Sequence, residues 1–190
     1  MMDNARKLLT RLDELLNAPV ELTLYGRAAL QLGFPHPKPE YFRSLDVDAV
    51  LWLGQAEALA ATTNFWDALS QLNREFDAEG LYLSHLFDED QVILSPQWRE
   101  RRVPIDLPLS QLHLSRLSDP DLALSKLMRY DPVDLDDLRF IIAAGNLSAD
   151  LLLREIANAR IPDFPEIREQ FNLCRNWLAT QIIQGQPPAI

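Results

Sequence analysis

The stretch Tyr41-Phe-Arg-Ser-Leu-Asp-Val-Asp-Ala-Val-Leu-Trp-Leu53 decides how the rest of the chain is read. Leu45, Val47, Ala49, Leu51 and Leu53 fall on one parity, and Asp46, Asp48, Val50 and Trp52 on the other, which is the period of a β-strand. Both carboxylates therefore project to the same side. Two acids two residues apart on a strand repel each other unless a cation lies between them, and a divalent metal is the simplest such cation. A solvated edge strand is the alternative that the motif alone leaves open.

Outward from this strand, residues 3 to 17 read as a helix: Asp3 or Asn4 can cap it, and Leu8, Leu9, Leu12, Leu15 and Leu16 form a stripe. Val20 to Tyr25 alternates as a strand and ends at Gly26, and Arg27 to Gly33 suits a short helix. That order puts the N–H groups of Gly26, Arg27 and Ala28 at a helix start, where dipole and donors together can hold a phosphate. The prolines of Phe34-Pro-His-Pro-Lys-Pro-Glu40 make a loop leading into the Asp46 strand.

Downstream, residues 55 to 76 read as one helix, and Leu81 to Phe87 and Gln91 to Ser95 as a hairpin joined by the solvated acidic turn Asp88-Glu-Asp90. Pro96 to Arg102 reads as a helical turn carrying three arginines on a solvated face. Short strands are expected over Val103 to Leu107, around Asp106, and over Leu112 to Leu117. Ser118 or Asp119 caps a helix with Pro120 in its first turn, and on it Lys126 and Arg129 form a cationic pair beside the core. Helices follow over Asp134–Ala144, Ser148–Ala159 and about 166 to 183, with a frayed tail from Gln184. Strands mixed with helices, then helices alone, predict an α+β fold: a core over residues 1–117 and a helical part over 118–190 packed on it as one continuous unit.

Composition narrows the function classes. A net charge of −10 repels polyanions, so contact with nucleic acid would need a local basic patch, and no basic run with interleaved aromatics is visible. Cys174 is the only cysteine, which excludes an internal disulfide or a thiolate zinc cluster. No apolar run reaches membrane-spanning length, and the N-terminal residues lead into an amphipathic pattern instead of a signal-peptide core, so a cytoplasmic protein without a membrane partner is expected. Arginine is favoured so heavily that only Lys7, Lys38 and Lys126 represent lysine, and each merits a reason. His36, His85 and His113 show no metal or triad spacing, and Trp52, Trp66, Trp98 and Trp177 read as core or groove anchors.

The order of a strand ending at Gly26 before a helix, a strand bearing Asp46 and Asp48, and a later strand bearing Asp106 resembles the nucleotidyltransferase fold of the DNA polymerase beta type. It resembles more closely the small bacterial nucleotidyltransferase-like proteins related to abortive-infection and toxin–antitoxin toxins, which share segments like Leu117 to Arg129 and Asp134-Leu-Asp-Asp-Leu138. The likeness covers about residues 18 to 145. It implies a nucleotidyltransferase-like mixed sheet with flanking helices, and transfer of a nucleotidyl group from an NTP to an RNA or protein acceptor, with a cognate antitoxin or other protein partner. It also implies Mg²⁺ or Mn²⁺ on Asp46, Asp48 and Asp106, since two ions about 3.5–4 Å apart can clamp the attacking and leaving oxygens. Asp106 would be the third ligand or the base on the acceptor, the Gly26 turn with Arg27 would hold the β- and γ-phosphates, and Lys126 would bind phosphate or stabilise the site. Asp137 would orient Lys126 or the acceptor; a plain salt bridge of Lys126 with Asp137 or another helix acid is the other reading. Arg27 stands where active members usually carry Gly or Ser, which keeps open a catalytically inactive binding or regulatory module on the same fold.

Overall fold

The computed structural model describes residues 3–183, so the tail expected from Gln184 lies outside the described residues. The chain is α+β, with a mixed sheet flanked by helices and a helical C-terminal part. It divides into two compact units, one running to Glu89 and resuming over Arg102–Leu117, the other made of Asp90–Arg101 and the chain from Ser118 onward.

The first unit begins with α1 (Asn4–Leu15), whose N-terminus is capped by the Asp3 carboxylate accepting from the Arg6 N–H at 2.7 Å. Then come β1 (Val20–Tyr25), α2 (Gly26–Gly33), a 3₁₀ turn over Pro39–Arg43, β2 (Asp46–Leu51), α3 (Gln55–Thr62), α4 (Phe65–Phe76), β3 (Tyr82–Asp88), β4 (Val103–Pro104) and β5 (Leu112–Arg116). The five strands lie in the order β3-β2-β1-β5-β4. β1 is antiparallel to β2 and parallel to β5, β2 is parallel to β3, and β4 is antiparallel to β5.

Register sorts the side chains into two faces. Leu24 opposes Ala49 and Val47 opposes Leu83, so Val20, Leu22, Leu24, Val47, Ala49, Leu51 and Leu83 share one face, all buried, against which α1 and α4 pack. Leu8, Leu9 and Leu12 of α1 are fully buried there, each stabilising the unit by about 1.5–3 kcal/mol. Asp13 closes the far end of α1 by accepting backbone N–H bonds from Ser110, Gln111 and Leu112 at 2.7–3.0 Å. Burial works against ionisation of this carboxyl, but the three N–H donors outweigh it and hold its pKa below the ordinary aspartate value. The opposite face carries Glu21, Thr23 and Tyr25 of β1, Asp46, Asp48 and Val50 of β2, Tyr82 of β3, and His113 and Ser115 of β5.

Two local expectations change here. The helix expected over residues 55 to 76 is broken at Thr63 and Asn64: the Thr62 and Thr63 hydroxyls donate to the Ala58 and Leu59 carbonyls, and the Asn64 amide donates to the Leu15 carbonyl at the end of α1. The expected hairpin does not form. β3 pairs in parallel with β2, whereas Gln91–Ser95 belongs to the second unit, where Leu94 bridges Arg160 in isolation.

The second unit holds α5 (Asp119–Ser125) with a 3₁₀ turn over Lys126–Met128, α6 (Pro132–Ala144), α7 (Ala149–Asn158) and α8 (Pro165–Ile183). Pro96–Arg101 forms turns, not a helix. Ser118 and Ser148 cap α5 and α7, each accepting from the N–H three residues on. Trp98, Leu122, Leu127, Leu138, Ile141, Leu152, Phe171 and Cys174 form its core. Among the described residues, no helix is long and apolar enough to cross a membrane.

Candidate active site

Gly26 is where β1 becomes α2, and its φ of +68° is one that residues with a β-carbon rarely adopt. Space excludes a side chain as well: a Cβ built there would run into the Asp48 carboxylate. Asp48 lies in register opposite Tyr25 on the antiparallel neighbour, so its carboxylate packs directly against the turn that starts α2. Tyr25, the residue before the helix, makes no capping hydrogen bond with its side chain. Asp46 stands one strand repeat, about 6.6 Å, before Asp48 on the same face and accepts a hydrogen bond from the Ser44 hydroxyl at 2.8 Å. Both acids are half-buried.

Positive charge is gathered beside the turn. The Arg27 guanidinium lies 5.5 Å from the centre of the buried Tyr41 ring, and the Lys38 ammonium lies 6.0 Å from the same ring. One buried aromatic ring thus lies against both cations. Lys38 in this role was not singled out from the sequence, although its place in a loop leading to the acid strand was a usable signal.

Asp106 is not brought to this pair. β4 ends at Pro104, shorter than the strand expected over Val103 to Leu107, because two prolines close to Asp106 limit what the edge can donate. Continuing the register from Val103↔Arg116 and Pro104↔Ser115 puts Asp106 beside His113, which is level with Glu21. Glu21 is four residues along β1 from Tyr25, and β4 is three strands away from β2, so about 20 Å of sheet separates Asp106 from Asp48. Asp106 instead helps line a groove of about 590 Å³ with Glu21, Arg102, Leu107, His113 and Ser115. Arg102 spans the sheet face between, donating to the Thr23 hydroxyl at 3.3 Å, lying 3.5 Å from the Glu21 carboxylate and covering the Trp52 ring at 5.5 Å.

On β3 the residue in Cα register with Asp48 is His85, after a bulge opposite Val47 and Asp48. Among the described residues, no three His, Cys, Asp or Glu side chains are grouped closely enough to hold a metal ion. The donor set that does exist, two aspartates on one strand face, suits a hard cation of the Mg²⁺ type, which binds through one or two carboxylates and completes its shell with water and substrate phosphate.

In the second unit, Lys126 donates to Asp134 Oδ1 at 2.9 Å and to Asp137 Oδ2 at 2.8 Å. All three are buried, and Arg129 donates to the other oxygen of Asp134 at 2.7 Å. The ammonium expected to bind phosphate is thus held by two carboxylates, and Asp134, not singled out from the sequence, bridges both cations. Asp121, also fully buried, accepts from the Ser95 N–H at 2.8 Å and from the Ser118 hydroxyl at 2.6 Å.

The chain matches, over residues 8–180, the model of a family described as nucleotidyltransferase of unknown function (DUF6036). Comparison with curated proteins and with solved structures finds no match.

Proposed function

The chain belongs to that nucleotidyltransferase family, and on this premise we propose that it is a metal-dependent enzyme that moves a nucleotidyl group from an NTP to an RNA or protein acceptor. The supporting observation is the packing of the Asp48 carboxylate on Gly26 at the start of α2, which sets the acid proposed to hold the metal beside the helix start proposed to take phosphate. In this reading the α2 N-terminus with Arg27 and Lys38 takes the β- and γ-phosphates, and Asp46 and Asp48 hold Mg²⁺ or Mn²⁺. The metal supplies neutralisation of the charge that develops on the phosphates.

The acceptor oxygen forms a bond to the α-phosphorus, the bond from that phosphorus to the β-phosphate oxygen breaks, and pyrophosphate leaves towards the turn. The acceptor's proton passes to water. Asp106 and Lys126 have no part in this scheme, one because of its distance along the sheet and the other because its charge is already met by Asp134 and Asp137. A cognate protein partner, in a toxin–antitoxin or phage-defence setting, belongs to the proposal as the regulator.

The test is incubation of the protein with α-labelled NTPs, Mg²⁺ or Mn²⁺ and cell extract. Label is expected to move to RNA or protein with the wild type and not with Asp46→Asn/Asp48→Asn. A second reading, a nucleotide-binding module without catalysis, is favoured by the pair's lack of a third acid beside it among the described residues. Nucleotide binding with no label transfer selects it, and neither binding nor transfer overturns both.

A further inference from the structure

On the same sheet face, the residue beside Asp46 is Tyr82, its register partner on the parallel strand β3. Parallel partners project to the same side, and here the alternation is unambiguous: the next pair, Val47 and Leu83, is fully buried on the other face, while Tyr82 keeps 38% of its surface exposed. β3 is an edge strand, so no further strand pairs beside the ring. The Tyr82 backbone is fixed, since its N–H donates to the Leu45 carbonyl at 3.0 Å. An exposed aromatic ring on a rigid strand about 4.8 Å from a strand bearing metal-type acids is a ready stacking surface.

The order of strands says what would stack there. β1 ends in the Gly26 turn, β2 carries Asp46 and Asp48, and β3 carries Tyr82, so the acids lie between the turn and the ring. A nucleoside triphosphate has the same order: β- and γ-phosphates, then the α-phosphate, then the nucleoside. With the terminal phosphates on the α2 side, the nucleoside is directed across β2 towards β3.

We propose that Tyr82 is the platform on which the base of the donor nucleotide stacks, and that it makes nucleotide binding tolerant of base identity. Every base offers a π-face, so stacking alone supplies affinity without reading an edge. This inference rests on the nucleotidyltransferase reading of the Gly26–Asp48 site.

Calorimetric titration in the presence of Mg²⁺ separates the two. ATP, GTP, CTP, UTP and inorganic tripolyphosphate are titrated into wild type, Tyr82→Ala, Tyr82→Phe and Tyr82→Trp. Tyr82→Ala is expected to weaken all four nucleotides by about tenfold and to leave tripolyphosphate unchanged. Tyr82→Phe should bind as the wild type does, because the ring and not the hydroxyl is the contact, and Tyr82→Trp should bind as tightly or more tightly. Equal nucleotide affinity in wild type and Tyr82→Ala overturns the platform while leaving the nucleotidyltransferase reading intact. Parallel loss of tripolyphosphate in Tyr82→Ala also overturns it, since the substitution would then act on the phosphate site. A wild type that binds neither nucleotide nor tripolyphosphate overturns the parent reading and the platform with it.

Discussion

The acids of the two units are handled in opposite ways. In the second unit, Asp121, Asp134 and Asp137 are almost completely buried, and each carboxylate is met by a serine hydroxyl, a backbone N–H, Lys126 or Arg129. In the first unit, Asp46 and Asp48 are set two residues apart at the surface of a sheet, with like charges side by side and a glycine turn pressed against one of them. Burial makes a carboxylate demand its partner within the protein, so the second arrangement is structural. Half-exposure leaves a carboxylate able to take a ligand from outside, as the cation proposed for the first arrangement requires.

The largest effect on stability is expected from Lys126→Met, which strips Asp134 and Asp137 of a shared buried cation. It should cost about 3–5 kcal/mol in urea denaturation, and a loss below 1 kcal/mol would show that these acids are no more dependent on the protein than the pair on β2.

Next comes Gly26→Ala. It forces a left-handed conformation on a residue with a side chain, costing about 1–2 kcal/mol, and adds a collision with Asp48. Gly80→Ala is the control, because Gly80 has a similar φ of +65° with no atom near the added carbon. Gly26→Ala should therefore lower the unfolding midpoint more than Gly80→Ala does and should also weaken tripolyphosphate binding. Equal midpoints would mean that Asp48 gives way easily.

Asp46→Asn/Asp48→Asn should shift stability by no more than about 1 kcal/mol, because both acids are half-exposed. The same double change should abolish label transfer, so a clear stability loss would place this pair with the structural acids of the other unit.

The last effect is a pH dependence confined to alkaline solution. Burial, helped by the Asp134 charge, pushes the Cys174 thiol from 9.0 up to about 11. Above pH 9 the unfolded chain has lost this proton while the folded chain still holds it, so stability falls as pH rises from about 9 towards about 11. Cys174→Ala should remove that component of the slope. An unchanged slope would show that the thiol ionises alike in both states.

The strand around Asp46, the turn at Gly26 and the helices capped by Asp3, Ser118 and Ser148 were legible in the sequence, because each is signalled within a few residues. Gln91–Ser95 misled for the same reason: its alternation marks extended chain but carries no name of a partner, and β3 found its partner in β2. Thr63 and Asn64 gave no break signal as strong as proline, yet the Asn64 amide's bond to the Leu15 carbonyl ends one helix and starts another. Asp106 could be counted as a third acid in chain order, whereas its distance from Asp48 depends on how many strands lie between.

By itself the sequence determined which residues alternate, that the first strand ends at a glycine and which side of a strand Asp46 and Asp48 share, since covalent geometry imposes the period of a strand wherever the strand lies. Tertiary structure alone decided that Asp48 meets Gly26, that Lys126 is enclosed by Asp134 and Asp137, and that Tyr82 stands beside Asp46. Those contacts join residues 8 to 36 positions apart, and strand order and helix packing, which no local pattern encodes, bring them together.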